Sequence, residues 1–195
     1  METLLTERLV LRPMGPDDLP FLIRLHADPR VACTLADGRP RTEEATRTWF
    51  SVLMGSYTEH RLGQLAVCRR DDGRLLGRCG LTLIEIEKEL ESAGPEHRAL
   101  RCFWGPAWAP VPAVREIELG WVIAHESWGN GFASEAARAI RDDAFRSPAV
   151  ERLVSVIFIG NTASERVALK MSMARRAGAY LLGDRPVSVY EVSKR

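Results

Sequence analysis

Several large protein classes are excluded by what this sequence lacks. It has no run of 18 apolar residues, so no membrane-spanning helix is expected. The segment Met1 to Arg12 is charged and alternating, without the apolar stretch of a secretory signal. Neither sign of charge dominates, since 27 Lys and Arg stand against 26 Asp and Glu, for a net of +1. A nucleic-acid binder usually carries a basic excess or stripe, and none is visible. Cysteine is scarce: Cys33, Cys68, Cys79 and Cys102 form no CxxC and match no zinc spacing. No metal is expected. Cys68 and Cys79 fall inside apolar runs, where a reduced cysteine acts as a small hydrophobe. That usage points to a reducing, cytoplasmic setting. Internal repeats and low-complexity tracts are missing too.

What is present suits a soluble globular chain. The 195 residues, 46% of them hydrophobic, suffice for one domain with a core that needs no metal or disulfide. Leu5 to Arg12 alternates like a half-buried strand that Pro13 stops. Leu19 to His26 reads as a helix ended by Asp28-Pro29, and Glu43 to about Met54 as a second helix, with Thr42 as its cap. Gln64–Arg69 and Leu75–Leu83 flank an Asp72-Gly73 turn, a hairpin signal. Glu116–Ala124 is a strand, Phe132–Phe145 an amphipathic helix rich in alanine, and Leu153–Ile159 an apolar strand of sheet-centre type. A short helix over Asn161–Ala174 and a last strand over Val187–Val192 follow. Ile84 to Arg115 is the least readable stretch. It opens with a helix-compatible acidic run, Glu85 to Glu91, and continues through Gly94-Pro95. An aromatic patch at Phe103, Trp104 and Trp108 follows, between Pro106, Pro110 and Pro112. It is expected to be an extended excursion from the fold.

The strand–turn–helix from Glu116 to Phe145 carries the chemistry. Gly129 and Gly131 remove side chains where the chain turns, so the free N–H groups of the turn and first helical turn can converge on an anion, preferably a phosphate. Gly129-Asn130-Gly131 has no third glycine in the dinucleotide position and no following Gly-Lys-Ser/Thr, so neither nucleotide fingerprint applies. A plain tight turn with glycines at positive φ is the competing reading.

The run Glu118-Leu119-Gly120-Trp121-Val122-Ile123-Ala124-His125-Glu126-Ser127-Trp128-Gly129-Asn130-Gly131-Phe132-Ala133-Ser134-Glu135-Ala136 resembles the acetyl-CoA-binding core of the GNAT superfamily of N-acetyltransferases. The branch it is most similar to includes the ribosomal-protein-alanine N-acetyltransferases. The opening Leu5 to Pro13, Gly77-Arg78-Cys79-Gly80-Leu81 and Asn161 to Lys170 resemble that branch in the same order, so the likeness covers nearly the whole chain. It implies an α+β fold with a mixed, mostly antiparallel sheet, splayed at the cofactor site and covered by helices on both faces. The whole chain, residues 1–195, would be one acetyltransferase domain. Pantetheine would lie in the splay against backbone groups of Val122, Ile123 and Ala124. Pyrophosphate would sit on N–H groups of Trp128, Gly129, Asn130, Gly131, Phe132 and Ala133, and Asn161 would face the cofactor.

The resemblance also implies roles for side chains. Glu118 is the expected base, direct or through water. Glu116 is its rival on the same strand face, and a solvent-facing carboxylate is the alternative reading. Ser164 is the candidate to hydrogen-bond the thiol, with helix capping as its alternative. Tyr180 and Tyr190 are further hydroxyls. His125 sits in the turn toward the phosphates and reads as a surface residue. Three departures stand out. Glu126 occupies a position where the family often has Gln or Arg. Ser172 in Lys170-Met171-Ser172-Met173 replaces the family's glycine, and serine holds a left-handed backbone only at a cost. The excursion is longer than the branch usually shows and could cover the acceptor side or make a homodimer. The expected activity is acetyl transfer from acetyl-CoA to a primary amine. A protein or peptide N-terminus is the preferred acceptor, and a small-molecule or antibiotic amine the alternative. A non-catalytic acyl-CoA sensor is the reading from a different class.

Overall fold

The computed structural model describes residues 2–35, 38–87, 97–102 and 113–195. In chain order the elements are β1 (Leu4–Leu5), β2 (Leu9–Pro13), α1 (Leu19–Ala27), α2 (Pro29–Ala32), α3 (Glu43–Glu59), β3 (Gln64–Arg69), β4 (Leu75–Glu87) and β5 (His97–Cys102). Then come β6 (Ala113–Ile123), α4 (Phe132–Ala144), β7 (Arg152–Phe158), α5 (Thr162–Lys170), β8 (Ala174–Arg175), β9 (Ala179–Leu182) and β10 (Arg185–Ser193). The fold is α+β. Every strand pair is antiparallel except β5–β9 and β6–β7.

Alternation of apolar residues sets the two faces of the sheet. Leu119, Ile123, Leu153 and Ile157 point to the side covered by α4 and α5, with Ala136, Ala137, Ile140, Ala168 and Met171. Ala66, Cys68, Val122 and Ala124 point to the other side, against Leu22, Leu25, Trp49, Phe50 and Leu53 of α1 and α3. The small residues of α4 let that helix lie close to the strands. Thr42 caps α3 by accepting the Ala45 N–H at 3.1 Å.

Several expectations shift. The stretch Leu5 to Arg12 is not one strand. It folds back as a hairpin with Leu4 opposite Leu11, because Thr6 Oγ1 accepts the Leu9 N–H at 2.9 Å and turns the chain. The helix expected to end near Met54 continues to Glu59, and the one expected to reach Ala174 stops at Lys170. The expected excursion over 84–115 is partly sheet. β4 runs on to Glu87 against β6 from Ala113, and β5 pairs with β4 at Ile84–Ile86. The acidic run therefore begins as strand rather than helix. Ile84 and Ile86 are buried with Glu85 between them, a period-two pattern, and Glu85 pairs with Arg115 across β4–β6 at 3.1 Å. Glu89, Glu91, Gly94, Pro95, Phe103, Trp104, Pro106, Trp108, Pro110 and Pro112 lie outside the described residues. Among the described residues Cys33, Cys68 and Cys79 are free thiols, no helix is long and apolar enough to cross a membrane, and no cluster of metal-ligating side chains occurs.

Candidate active site

One irregularity of the sheet creates the site. β6 is held by β4 along its whole length, from Gly77↔Ile123 to Glu87↔Ala113. On its other edge it meets β7 at a single position, Glu118↔Val154. Beyond that point the two strands diverge. Ser155 marks the apex, its hydroxyl donating to the Leu119 carbonyl at 2.6 Å. The opening continues into a cleft of about 380 Å³. Trp121, Val122 and Ile123 line it on one side, the 127–134 turn at one end, and Asn161, Ser164 and Val167 of the α5 region opposite.

The edge of β6 that faces the cleft offers a short ladder. Backbone groups alternate sides along an antiparallel strand. The Ala124 N–H is engaged with the Leu76 carbonyl of β4 at 2.8 Å, so the even position Val122 turns its backbone groups to β4, while the Ala124 carbonyl accepts the Ser127 N–H at 2.8 Å. The odd positions Leu119, Trp121 and Ile123 turn theirs to the split. The Ile123 carbonyl is already taken by the Trp128 indole N–H at 2.7 Å. Among the described residues the Trp121 N–H and carbonyl and the Ile123 N–H remain open. The backbone groups open to the split thus belong to Trp121 and Ile123, one position from the expected Val122, Ile123 and Ala124. The one-residue shift follows from strand register, which a sequence does not state.

The turn after β6 is built for an anion. Gly129 and Gly131 have φ of +78° and +79°, a region that favours glycine, and a Cβ at Gly129 would meet nothing within 4 Å. Asn130 holds the turn by donating from Nδ2 to the Ser127 and Trp128 carbonyls at 3.2 and 3.0 Å. None of the backbone N–H groups of 129–134 has an acceptor among the described residues, whereas the Trp128 N–H is engaged with the His125 carbonyl at 3.1 Å. These donors and the N-terminus of the 13-residue helix α4 point to the same place. The turn is braced from outside. Arg8 donates to the Asn130 carbonyl at 3.0 Å and pairs with Glu135 at 2.7 Å. Arg166 and Lys170 of α5 add cationic side chains to the cleft wall. His125 stacks at a tilt on Trp128, with ring centroids 4.9 Å apart, and stays outside the cleft lining.

Of the expected catalytic residues, Ser164 is on the cleft wall and Glu118 is not among the lining residues. Glu118 sits at the apex on the α1/α3 face, half-buried, near the backbone N–H of Val156. Burial pushes its carboxyl up to about 7, against smaller opposing effects of the Val156 N–H and the Arg78 guanidinium. A carboxylate poised near neutrality is the form a general base needs. Glu116 is otherwise engaged. It is buried, and it binds Arg152 at 2.8 Å and Arg176 at 3.0 Å, which removes it as a rival base. Ser164 lines the cleft, and its backbone N–H is the one that the Asn161 side chain caps at 3.1 Å. Capping thus falls to Asn161, which leaves the Ser164 hydroxyl without a bond in the described residues. Tyr180 and Tyr190 are buried away from the cleft, the former donating to the Ala177 carbonyl at 3.0 Å.

A splayed β6/β7 pair and a glycine turn feeding a helix N-terminus are thus present together. The model of the acetyltransferase (GNAT) domain matches residues 8–174. The chain belongs to the GNAT acetyltransferase family. Among relatives of this GNAT protein, YkkB of Bacillus subtilis is 27% identical over 188 residues, 96% of this chain and 94% of that protein. An acetyltransferase structure from Agrobacterium tumefaciens superposes with a TM-score of 0.73 at 26% identity, covering 98% of this chain and 94% of that one. RimL, a ribosomal-protein α-N-acetyltransferase solved with coenzyme A, shares the fold with a TM-score of 0.68 at 14% identity, covering 98% of both chains.

The sequence reading did not find the polar cluster on the Glu118 face. Arg78 donates to His26 Nε2 at 3.2 Å and to Gln64 Oε1 at 3.0 Å, and Gln64 Nε2 donates to Thr82 Oγ1 at 3.2 Å. Arg78 belongs to the Gly77-Arg78-Cys79-Gly80-Leu81 motif and His26 to a helix face, but only folding brings α1, β3 and β4 together.

Proposed function

We propose that this protein is an acetyl-CoA-dependent N-acetyltransferase acting on a primary amine, with a peptide or protein N-terminus as the preferred acceptor. The observation that carries this reading is the coincidence of two features in one cleft, an unpaired β6 edge at Trp121 and Ile123 and a run of free N–H groups from Gly129 to Ser134. At the apex of the same β6/β7 split stands a carboxyl raised to about 7, that of Glu118. An elongated acyl carrier needs a backbone ladder for its amides and a helix N-terminus for its phosphates. The residues present fit that demand. Trp121 and Ile123 would hold pantetheine, and Gly129, Asn130, Gly131, Phe132 and Ala133 the pyrophosphate. Asn161 would shape the opposite wall. The bound coenzyme supplies the activated acetyl thioester.

Glu118 removes the proton that an amine carries at neutral pH, directly or through one water, and so frees the lone pair. The Ser164 hydroxyl would donate to sulfur as the thiol leaves. The N-terminal acceptor rests on likeness to RimL and on the branch the sequence resembles. The reading takes residues 1–195 as a single domain working in a reducing, cytoplasmic compartment.

The test is calorimetric titration with acetyl-CoA and with CoA, followed by thiol release against amines and N-terminal peptides. Binding with turnover is expected. Failure to bind acetyl-CoA would overturn the reading.

A further inference from the structure

On the α1/α3 face, beside Glu118, a guanidinium is buried among neutral partners. Arg78 is nine-tenths buried. Its Nε donates to His26 Nε2 and its Nη1 to Gln64 Oε1, while its carbon lies 4.8 Å from the centroid of Trp49. His26 is fully buried and held neutral by burial and by the cations Arg78 and Arg41. With Nε2 accepting from Arg78, the ring proton sits on Nδ1, which faces Thr46 Oγ1 at 3.4 Å. Gln64 and Thr82 complete the cluster. None of these partners carries negative charge. Among the described residues Nη2 of Arg78 makes no hydrogen bond and no carboxylate lies within ion-pair distance of Arg78. The carboxylate that acts on Arg78 is that of Glu118.

A buried cation with neutral partners is costly unless an anion joins it. A guanidinium with a free edge is shaped for a carboxylate, which it can bind through two parallel N–H donors. We propose that the acceptor of this enzyme is an amine bearing its own carboxylate a few bonds from the nitrogen, and that Arg78 binds that carboxylate while Glu118 serves the amine. Arg78 and Glu118 point to one face of the sheet, and Gly120 between their registers adds no side chain there. This deepens the acetyltransferase reading and rests on it. The shared chemistry has two sources, a free amino acid or a peptide end with an acidic residue.

The experiment measures kcat/KM with acetyl-CoA for free amino acids against their amides, and for amidated dipeptides beginning with Asp or Glu against those beginning with Asn or Gln. The carboxylate-bearing partner of a pair is expected to be favoured tenfold or more. Preference confined to amino acids marks a small-molecule acceptor, and preference confined to dipeptides marks a peptide end. Arg78→Gln should abolish the preference through KM, leaving affinity for CoA within about twofold. Arg78→Lys, which keeps charge without the fork, should keep only part of it and covers the case in which Arg78→Gln does not fold. Equal use of acid and amide, or a preference that survives both variants, would overturn the proposal. Failure of the acetyl-transfer reading is separate: acetyl-CoA would not bind, or no amine would release thiol. Titrating the wild-type protein, with CoA present, with N-acetyl amino acids against their amides still decides the matter. Tighter binding of the acids supports the anion site, and equal or absent binding refutes it.

Discussion

At the residue scale, Glu118 and Ser172 show what two single positions contribute. Glu118 lies where β6 leaves β7, and burial raises its carboxyl to about 7. As the base it must be ionised, so kcat should rise with pH and level off above an apparent pKa of about 7. Glu118→Gln should lower kcat by about 10²–10⁴-fold and flatten that limb, as read from thiol release between pH 5.5 and 9. Ser172 has φ of +61° and is exposed. The Met173 N–H bonds to the Ala168 carbonyl at 3.1 Å and the Ser172 N–H to the Leu169 carbonyl at 3.0 Å. That is the helix ending in which glycine is favoured. The serine therefore adopts the left-handed backbone its family position calls for, at the cost expected of a residue with a Cβ. Ser172→Gly should stabilise the fold by about 0.5–1 kcal/mol and raise Tm by about 1–4 °C, with kcat unchanged.

At the scale of elements, the β6–turn–α4 unit was legible because its signals are local. Glycine spacing, an alternating strand and an alanine-rich helix face each report backbone geometry within a few residues. Gly131 also tests the unit. Its φ of +79° admits a side chain only under strain, and its N–H belongs to the free run. Gly131→Val should weaken acetyl-CoA binding by well over tenfold while leaving far-UV circular dichroism largely unchanged; the strain itself should cost about 1–2 kcal/mol. Unchanged affinity in calorimetry would remove the pyrophosphate from this turn. The elements misread are equally instructive. Leu5 to Arg12 keeps period two through a hairpin, so alternation alone missed the reversal at Thr6. Glu85 to Glu87 looked helix-compatible by composition, yet Ile84 and Ile86 take their place from pairing with β5 and β6, contacts distant in sequence.

At the scale of the whole molecule, the site trades stability for chemistry. A carboxyl whose pKa is raised on folding favours the folded state most while protonated. The contribution of Glu118 is therefore present below pH 4.5 and lost as pH rises through about 7. Glu118→Gln, which keeps shape and removes the charge, should match the wild type in urea midpoint near pH 4.5. It should exceed it at pH 8, by at most about 3 kcal/mol. A variant less stable than the wild type at pH 8 would show that the ionised Glu118 is well compensated.

The sequence by itself determined the glycine turn and its helix, which rest on patterns spanning a few residues. The α+β class and the candidacy of Glu118, Ser164 and Asn161 came from the likeness to the GNAT family, which runs along nearly the whole chain. Tertiary structure decided which of Glu116 and Glu118 is available, because only folding brings Arg152 and Arg176 onto Glu116. It decided that Trp121 and Ile123, rather than Val122, turn their backbone groups to the β6/β7 split, because pairing with β4 fixes which edge each peptide presents. It also assembled the Arg78–His26–Gln64–Thr82 cluster from α1, β3 and β4. Charge and hydrogen-bond complementarity between distant segments leaves no periodic trace along the chain, and so is visible only once the chain is folded.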